Sequence, residues 1–146
     1  MKSGALVITT QNMLMCAVKS GNLPEAKKCI KALISDVPYS NKKLASMDME
    51  ERYRLIISTI FNAIGCGVQV ERPLATGRID IVVTTNRYVY VMELKLTNNG
   101  GLAAAEKQIR DNQYASPFVA GKRKVIALAV ELDDMGKGLI DWKEVK

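Results

Sequence analysis

Arg78-Ile79-Asp80-Ile81-Val82-Val83-Thr84-Thr85, then Asn86-Arg87, then Tyr88-Val89-Tyr90-Val91-Met92-Glu93-Leu94-Lys95-Leu96 is a pair of β-rich runs on either side of two turn-forming residues. β-Branched and aromatic residues dominate both runs, which predicts the strands of a hairpin. If the loop is symmetric about Asn86-Arg87, facing residue numbers sum to 173, and Asp80 lies directly opposite Glu93 on one face of the sheet. Side-chain alternation puts Lys95 on that face too. A three-residue loop would shift the register by one and break the alignment. Facing carboxylates with Cβ atoms ~5 Å apart repel unless a cation sits between them. Two acidic groups and a lysine on neighbouring strands can hold a hard divalent cation and position a water for phosphodiester attack. The chain contains no histidine, so histidine-based hydrolysis is excluded.

Downstream of the hairpin, Gly100 and Gly101 lead into a helix expected from about Leu102 to Tyr114, with small Ala103 to Ala105 suited to close packing on a sheet. Arg123 to Glu131 reads as an interior strand, apolar on both faces. Strand, helix, strand at this spacing implies a parallel, right-handed crossover. Asp133 to Gly138 is a polar turn, and Leu139 to Val145 with Trp142 closes the sheet or lies along its edge.

Upstream, Val68 and Val70 predict a short strand, with Pro73 to Gly77 as a loop. Asp48 and Glu51 have the spacing of a capping box ahead of a helix whose stripe is Tyr53, Ile57, Ile60 and Ile64, ending at Gly65. Extended backwards, that stripe reaches Glu50 and turns its carboxylate toward the core at the first turn. A solvated first-turn acid favoured by the helix dipole is the other reading of Glu50. Before it, Met13, Leu14, Ala17 and Val18 recur at helical spacing and stop at Gly21. Asn22-Leu23-Pro24-Glu25 then opens a second helix burying Ala26, Cys29, Ile30, Leu33 and Ile34, and Pro38 and the polar stretch to Ser46 end it. The expected organisation is α/β, with a helical hairpin and linker over 1–45 and the core over 46–146.

A chain of 146 residues fits one domain able to bury its own core. Net charge is +6, and residues 1 to 45 hold seven lysines against Glu25 and Asp36. A basic surface attracts phosphate polyanions, although lysine-rich helix faces also serve solubility. Cys16, Cys29 and Cys66 are too widely spaced for a zinc knuckle or a redox pair and read as buried free thiols of a reducing compartment. No apolar run is long enough for a signal peptide or a membrane helix, so a soluble cytoplasmic protein, without a membrane partner, is expected.

The order helix, three strands, helix, strand, with Asp80 on the second strand and Glu93-x-Lys95 on the third, resembles the PD-(D/E)xK nuclease superfamily. Gly77-Arg78-Ile79-Asp80, Tyr88 to Lys95, Gln108-Ile109 with Tyr114 six residues on, and Lys124-Val125-Ile126 resemble, more narrowly, the nuclease-like C-terminal domain of bacterial AAA-ATPase-like proteins. The likeness runs from about Asn12 to the end.

The resemblance implies a restriction-endonuclease-like core: helix, three-strand antiparallel meander, crossover helix and parallel strand. It implies Mg²⁺ or Mn²⁺ held by Asp80, Glu93 and the Leu94 carbonyl, with Lys95 orienting or deprotonating water. Glu50 matches an assisting acid, and Gln108 a polar residue facing the site. Ile79 stands where many members have proline. An upstream ATPase module is usual in the resembling proteins, yet no GxxxxGK[ST] loop occurs here. Contact with such a module or another partner through residues 10 to 40 is the corresponding expectation.

Arg78 and the run Lys122-Arg123-Lys124 are candidates for contact with nucleic-acid phosphates, DNA first. Pairing of Arg78 with an acid, and a charged entry to a buried strand, are the structural alternatives. Two functions stay open: metal-dependent phosphodiester hydrolysis, and a non-catalytic nucleic-acid-binding or regulatory module in which Lys95 neutralises the carboxylates.

Overall fold

Asn86-Arg87 turns the chain as a symmetric loop does. In the computed structural model, which describes residues 2–37 and 46–146 with side chains from Thr9 onward, Thr85 donates its N–H to the Tyr88 carbonyl at 2.9 Å. Strands β2 (Gly77–Thr84) and β3 (Tyr88–Leu96) pair antiparallel, with Ile81 opposite Met92 and Thr84 opposite Val89. That is the register summing to 173. Around them the sheet runs β1-β2-β3-β4-β5, with β1 at Gly67–Leu74, β4 at Lys124–Leu132 and β5 at Leu139–Val145. β3 and β4 are parallel and every other neighbouring pair is antiparallel. The fold is α/β, with a restriction-endonuclease-like meander and crossover.

Helices cover both faces because the two central strands are apolar on both. α1 (Lys2–Ser20), α2 (Leu23–Ser35) and α3 (Met49–Ala63) bury Leu14, Ile30, Tyr53 and Phe61 against Ile81, Tyr90, Met92 and Leu128. α4 (Gly101–Asp111) covers the opposite face, where Ala105 and Ile109 meet Val82, Val91 and Ala129. The start of α4 is fixed by Glu131 of β4, whose carboxylate accepts from Leu102 N–H at 3.1 Å and the Thr97 hydroxyl at 2.7 Å. Anions suit that end of a helix. Asn22 and Asp48 cap α2 and α3 as expected, accepting the Glu25 and Glu51 N–H groups at 3.2 and 2.9 Å.

Four details differ from the sequence reading. β1 continues through Pro73, because it is an edge strand whose outer side needs no donor. The buried stripe of α3 is Tyr53, Ile57 and Phe61, with Ile60 and Ile64 half-buried at its margin. Met13 is exposed. Of the three free cysteines only Cys29 is buried; Cys16 is exposed and Cys66 intermediate. The break expected over Pro38 to Ser46 falls, apart from Ser46, outside the described residues, as does the boundary at 45. Among the described residues no helix is long and apolar enough to cross a membrane.

The hairpin α1–α2 is bolted to β3 by hydroxyls. Tyr90 donates to the Val18 carbonyl at 2.5 Å and Tyr88 to the Ser20 carbonyl at 3.2 Å. Gly21 follows with φ +72°, and a Cβ there would lie 2.6 Å from the Tyr88 ring. Gly21→Ala combines a left-handed penalty with overpacking against a ring held by its own hydrogen bond, for about 2–4 kcal/mol of lost stability. Chemical denaturation checks it; an unchanged midpoint contradicts the packing described.

Candidate active site

Both ladders flanking β2 open at Asp80. On one side β1 pairs Val70 with Ile81 and Arg72 with Ile79, but the place between, Glu71 opposite Asp80, is skipped. Glu71 has φ +51°, a left-handed conformation costing a non-glycine residue about 1–2 kcal/mol. On the other side pairing with β3 stops at Ile81–Met92. Ile79 packs in the α4-facing core and Ile81 in the core under α1–α3, so the alternation of β2 breaks at Asp80. The carboxylate there takes the N–H of Leu94, at 2.8 Å from Oδ2. Asp80 and Glu93 therefore come together one step past the last pair of the 173 register, and not as the flat cross-strand pair the alternation predicts.

Glu93 is 3% exposed. Its Oε1 accepts from the Tyr114 hydroxyl at 2.7 Å, and its Oε2 stands 3.5 Å from Lys95 Nζ. Burial first, then the negative charge of Asp80, pushes the Glu93 carboxyl up to about 8, against the Tyr114 hydrogen bond and Lys95. The Tyr114 oxygen also lies 2.7 Å from the Arg78 carbonyl and 2.9 Å from Gln108 Nε2. A hydroxyl has one proton and two lone pairs. With Glu93 neutral, Tyr114 gives its proton to Arg78 and accepts from Glu93 and Gln108; with Glu93 ionised, the proton is drawn to the carboxylate. Burial and the Glu93 bond raise the Tyr114 hydroxyl above its ordinary range, so it stays a donor.

Tyr114→Phe is expected to weaken divalent-metal binding about 10- to 100-fold, because it frees the Glu93 carboxylate and orphans two further polar groups. Calorimetric titration measures it, and unaltered affinity would remove Tyr114 from the site.

Lys95, 22% exposed at its side chain, opens on a cleft of about 290 Å³ lined also by Asn99, Lys107, Gln108 and Asn112. Gln108 holds Tyr114 and so acts on Glu93 through the tyrosine. Leu94 is engaged through its N–H. Arg78 reaches Glu71 at 3.1 Å. Glu50 is half-buried on the first turn of α3, and among the described residues no hydrogen bond or ion pair joins it to Asp80 or Glu93. The helix reaches the site instead through Arg54, one turn on and 15% exposed, at 3.6 Å from Asp80 and 3.2 Å from Glu71. Lys122, Arg123 and Lys124 stand at the other end of the sheet: Lys124 pairs with Tyr88, five residues or about 16 Å before Glu93.

Arg54, Glu71 and the linking role of Tyr114 were not read from the sequence. Arg54 had one usable signal, its four-residue spacing from Glu50 on the same helix flank. Glu71 had its sum of 151 with Asp80, visible only once β1 is known to extend that far.

The donors present suit a hard cation. Asp80 and Glu93 offer only oxygen, their mutual repulsion is what a cation relieves, and Mg²⁺ commonly takes one or two carboxylates with water completing the shell. Among the described residues no group of three or more acidic or cysteine side chains converges.

Residues 48–142 match the model of the PD-(D/E)XK nuclease superfamily. The chain is also 25% identical, over 141 residues, to an Azotobacter chroococcum mcd 1 protein described as an uncharacterized protein in the vnfD 5′ region. That alignment covers 94% of this chain and 27% of the relative, so the chain spans about a quarter of the curated relative's length. With a family match over most of its length, the chain belongs to the PD-(D/E)XK nuclease superfamily.

Proposed function

We propose that this domain hydrolyses phosphodiester bonds of nucleic acid, with DNA favoured over RNA by the habit of its superfamily, using Mg²⁺ or Mn²⁺. The single observation that carries the reading is the convergence of Asp80, Glu93 and Lys95: Asp80 accepts the Leu94 N–H at 2.8 Å, Lys95 Nζ stands 3.5 Å from Glu93, Tyr114 clamps Glu93, and Lys95 opens on the cleft. When bound, the ion supplies Lewis acidity toward the phosphate and a more acidic water. Asp80 and Glu93, with the Leu94 carbonyl, are assigned to hold it. Lys95 takes or orients the water proton and counters charge developing on the phosphate. Glu50 supports water on the α3 flank, and Arg78 meets a substrate phosphate when released from Glu71. The free thiols agree with a reducing, cytoplasmic setting.

Plasmid incubated with the protein and Mg²⁺ or Mn²⁺, beside Asp80→Ala and Lys95→Ala, tests it. Nicking by the wild type alone is expected. Equal nicking by all three would trace the activity to a contaminant.

A second reading draws on the ion pair of Arg54 with Asp80 at 3.6 Å: a non-catalytic nucleic-acid-binding or regulatory module whose acids are neutralised by Arg54 and Lys95. It predicts nucleic-acid binding without metal binding. In either reading the domain is proposed to work beside a further module, an ATPase by resemblance, which the greater length of the Azotobacter relative supports.

A further inference from the structure

Basic residues near the carboxylates and along α4 are spoken for: Arg54, Arg78, Lys95, Lys107 and Lys143 all stand in ion pairs. At the hairpin end of the sheet the pattern reverses. Lys19, Arg87, Lys122, Arg123 and Lys124 have no carboxylate within ion-pair distance among the described residues. Lys19, Arg87 and Arg123 line a cavity of about 760 Å³ between the ends of α1 and α3 and the β2–β3 turn, and no acidic side chain lines it.

Helix C-termini ordinarily oppose an anion, by about 0.3–1 kcal/mol each. Here the Val18 and Ser20 carbonyls at the end of α1 accept from the Tyr90 and Tyr88 hydroxyls, and Ile64 and Gly65 N–H groups cap α3. Lys19 is therefore not needed to cap its own helix. Arg123 is anchored from behind, its Nε donating to the Thr85 carbonyl at 2.7 Å, which leaves its terminal amino groups for a ligand. A fixed guanidinium and two flexible cations around a concavity match the phosphates of a polyanion.

Strand and helix rises give the separation from Asp80 and Glu93. Four residues of β1, from Gly67 to Glu71, span about 13 Å, and six of β3, from Arg87 to Glu93, about 20 Å. Along α3, Ile64 to Arg54 is about 15 Å. At about 3.4 Å per base pair this is about 4–6 base pairs.

We propose that this cavity is a second, non-catalytic site for the backbone phosphates of nucleic acid, so that a duplex must extend about 4–6 base pairs from the scissile bond to be gripped. It deepens the phosphodiesterase reading and rests on its nucleic-acid partner.

The test is fluorescence anisotropy of labelled duplexes with the full chain without metal, across a salt series, comparing wild type, the triple variant Lys19→Gln/Arg87→Gln/Arg123→Gln and a Lys28→Gln control. Thermal melts of each exclude unfolding. The triple variant is expected to reduce the slope of log affinity against log salt by about 2.7, or 0.9 for each of three contacts, and the control to leave it unchanged. In cleavage with Mg²⁺, the variant should lose the wild type's preference for duplexes longer than this span. A wild type that cleaves while the folded triple variant keeps the full slope overturns the cavity site and spares the phosphodiesterase. Binding through the cavity with no cleavage does the reverse. Neither binding nor cleavage overturns both, and equal affinity for a mononucleotide makes the cavity a small-ligand site and overturns the proposal.

Discussion

Lys95→Ala is expected to slow cleavage about 10²- to 10⁴-fold, the range spanned by a positioned proton-transfer group, without weakening divalent-metal binding. The ammonium stands 3.5 Å from Glu93 Oε2 and contributes no oxygen ligand. Removing it takes a positive charge from beside the ion, so affinity for Mn²⁺ should hold or rise. Lys95→Arg should fail to restore the rate, because a planar guanidinium does not replace a compact ammonium at the water position. Single-turnover rates at saturating metal, beside calorimetric affinities, separate the two effects. A variant that loses metal and rate together would make Lys95 a structural prop of the cluster and favour the non-catalytic reading.

Glu93→Gln should stabilise the metal-free protein at pH 8 and destroy its response to metal. The folded carboxyl is pushed up to about 8 from 4.5, so between those values the folded state holds a proton that the unfolded chain has released. The stabilising contribution is complete below about 4.5, falls as pH rises, and is gone once pH passes about 8. At 1.36 kcal/mol per unit this amounts to on the order of 5 kcal/mol. Glutamine is neutral at every pH and its amide can donate to Tyr114 as the neutral carboxyl does, so the variant lacks this slope. Adding Mg²⁺ reverses the ranking, since only the wild type gains binding free energy. Thermal melts at pH 5 and pH 8, with and without Mg²⁺, read all four corners. A variant less stable than the wild type at pH 8 without metal would show Glu93 to be an anion that Lys95 and Tyr114 already satisfy.

The part of this site legible in the sequence is the part set by local rules. Asn86-Arg87 between two β-rich runs defines a symmetric turn, the turn defines the register, and the register brings Asp80 to Glu93. The caps at Asn22 and Asp48 and the crossover from β3 to β4 were readable for the same reason. What escaped depends on contacts between distant segments. Pro73 reads as a strand breaker until its place on an edge is known. Glu71 in a left-handed conformation has no sequence signal at all, yet it gathers Arg54 and Arg78 beside Asp80. Tyr114 is fully buried, but its hydroxyl joins Gln108, Arg78 and Glu93, which only three-dimensional placement reveals.

Glu50 illustrates the limit from the other side. The stripe turns its carboxylate toward the core, and Glu50 is half-buried there, but the charged group that reaches Asp80 from α3 is Arg54.

Calorimetric titration of Mn²⁺ into the wild type, Asp80→Asn and Glu93→Gln is the most direct measurement of whether Asp80 and Glu93 share an ion. One site in the wild type, lost in both variants with the fold intact, is the predicted result. A wild type that takes up no metal, or variants that bind as the wild type does, would contradict it.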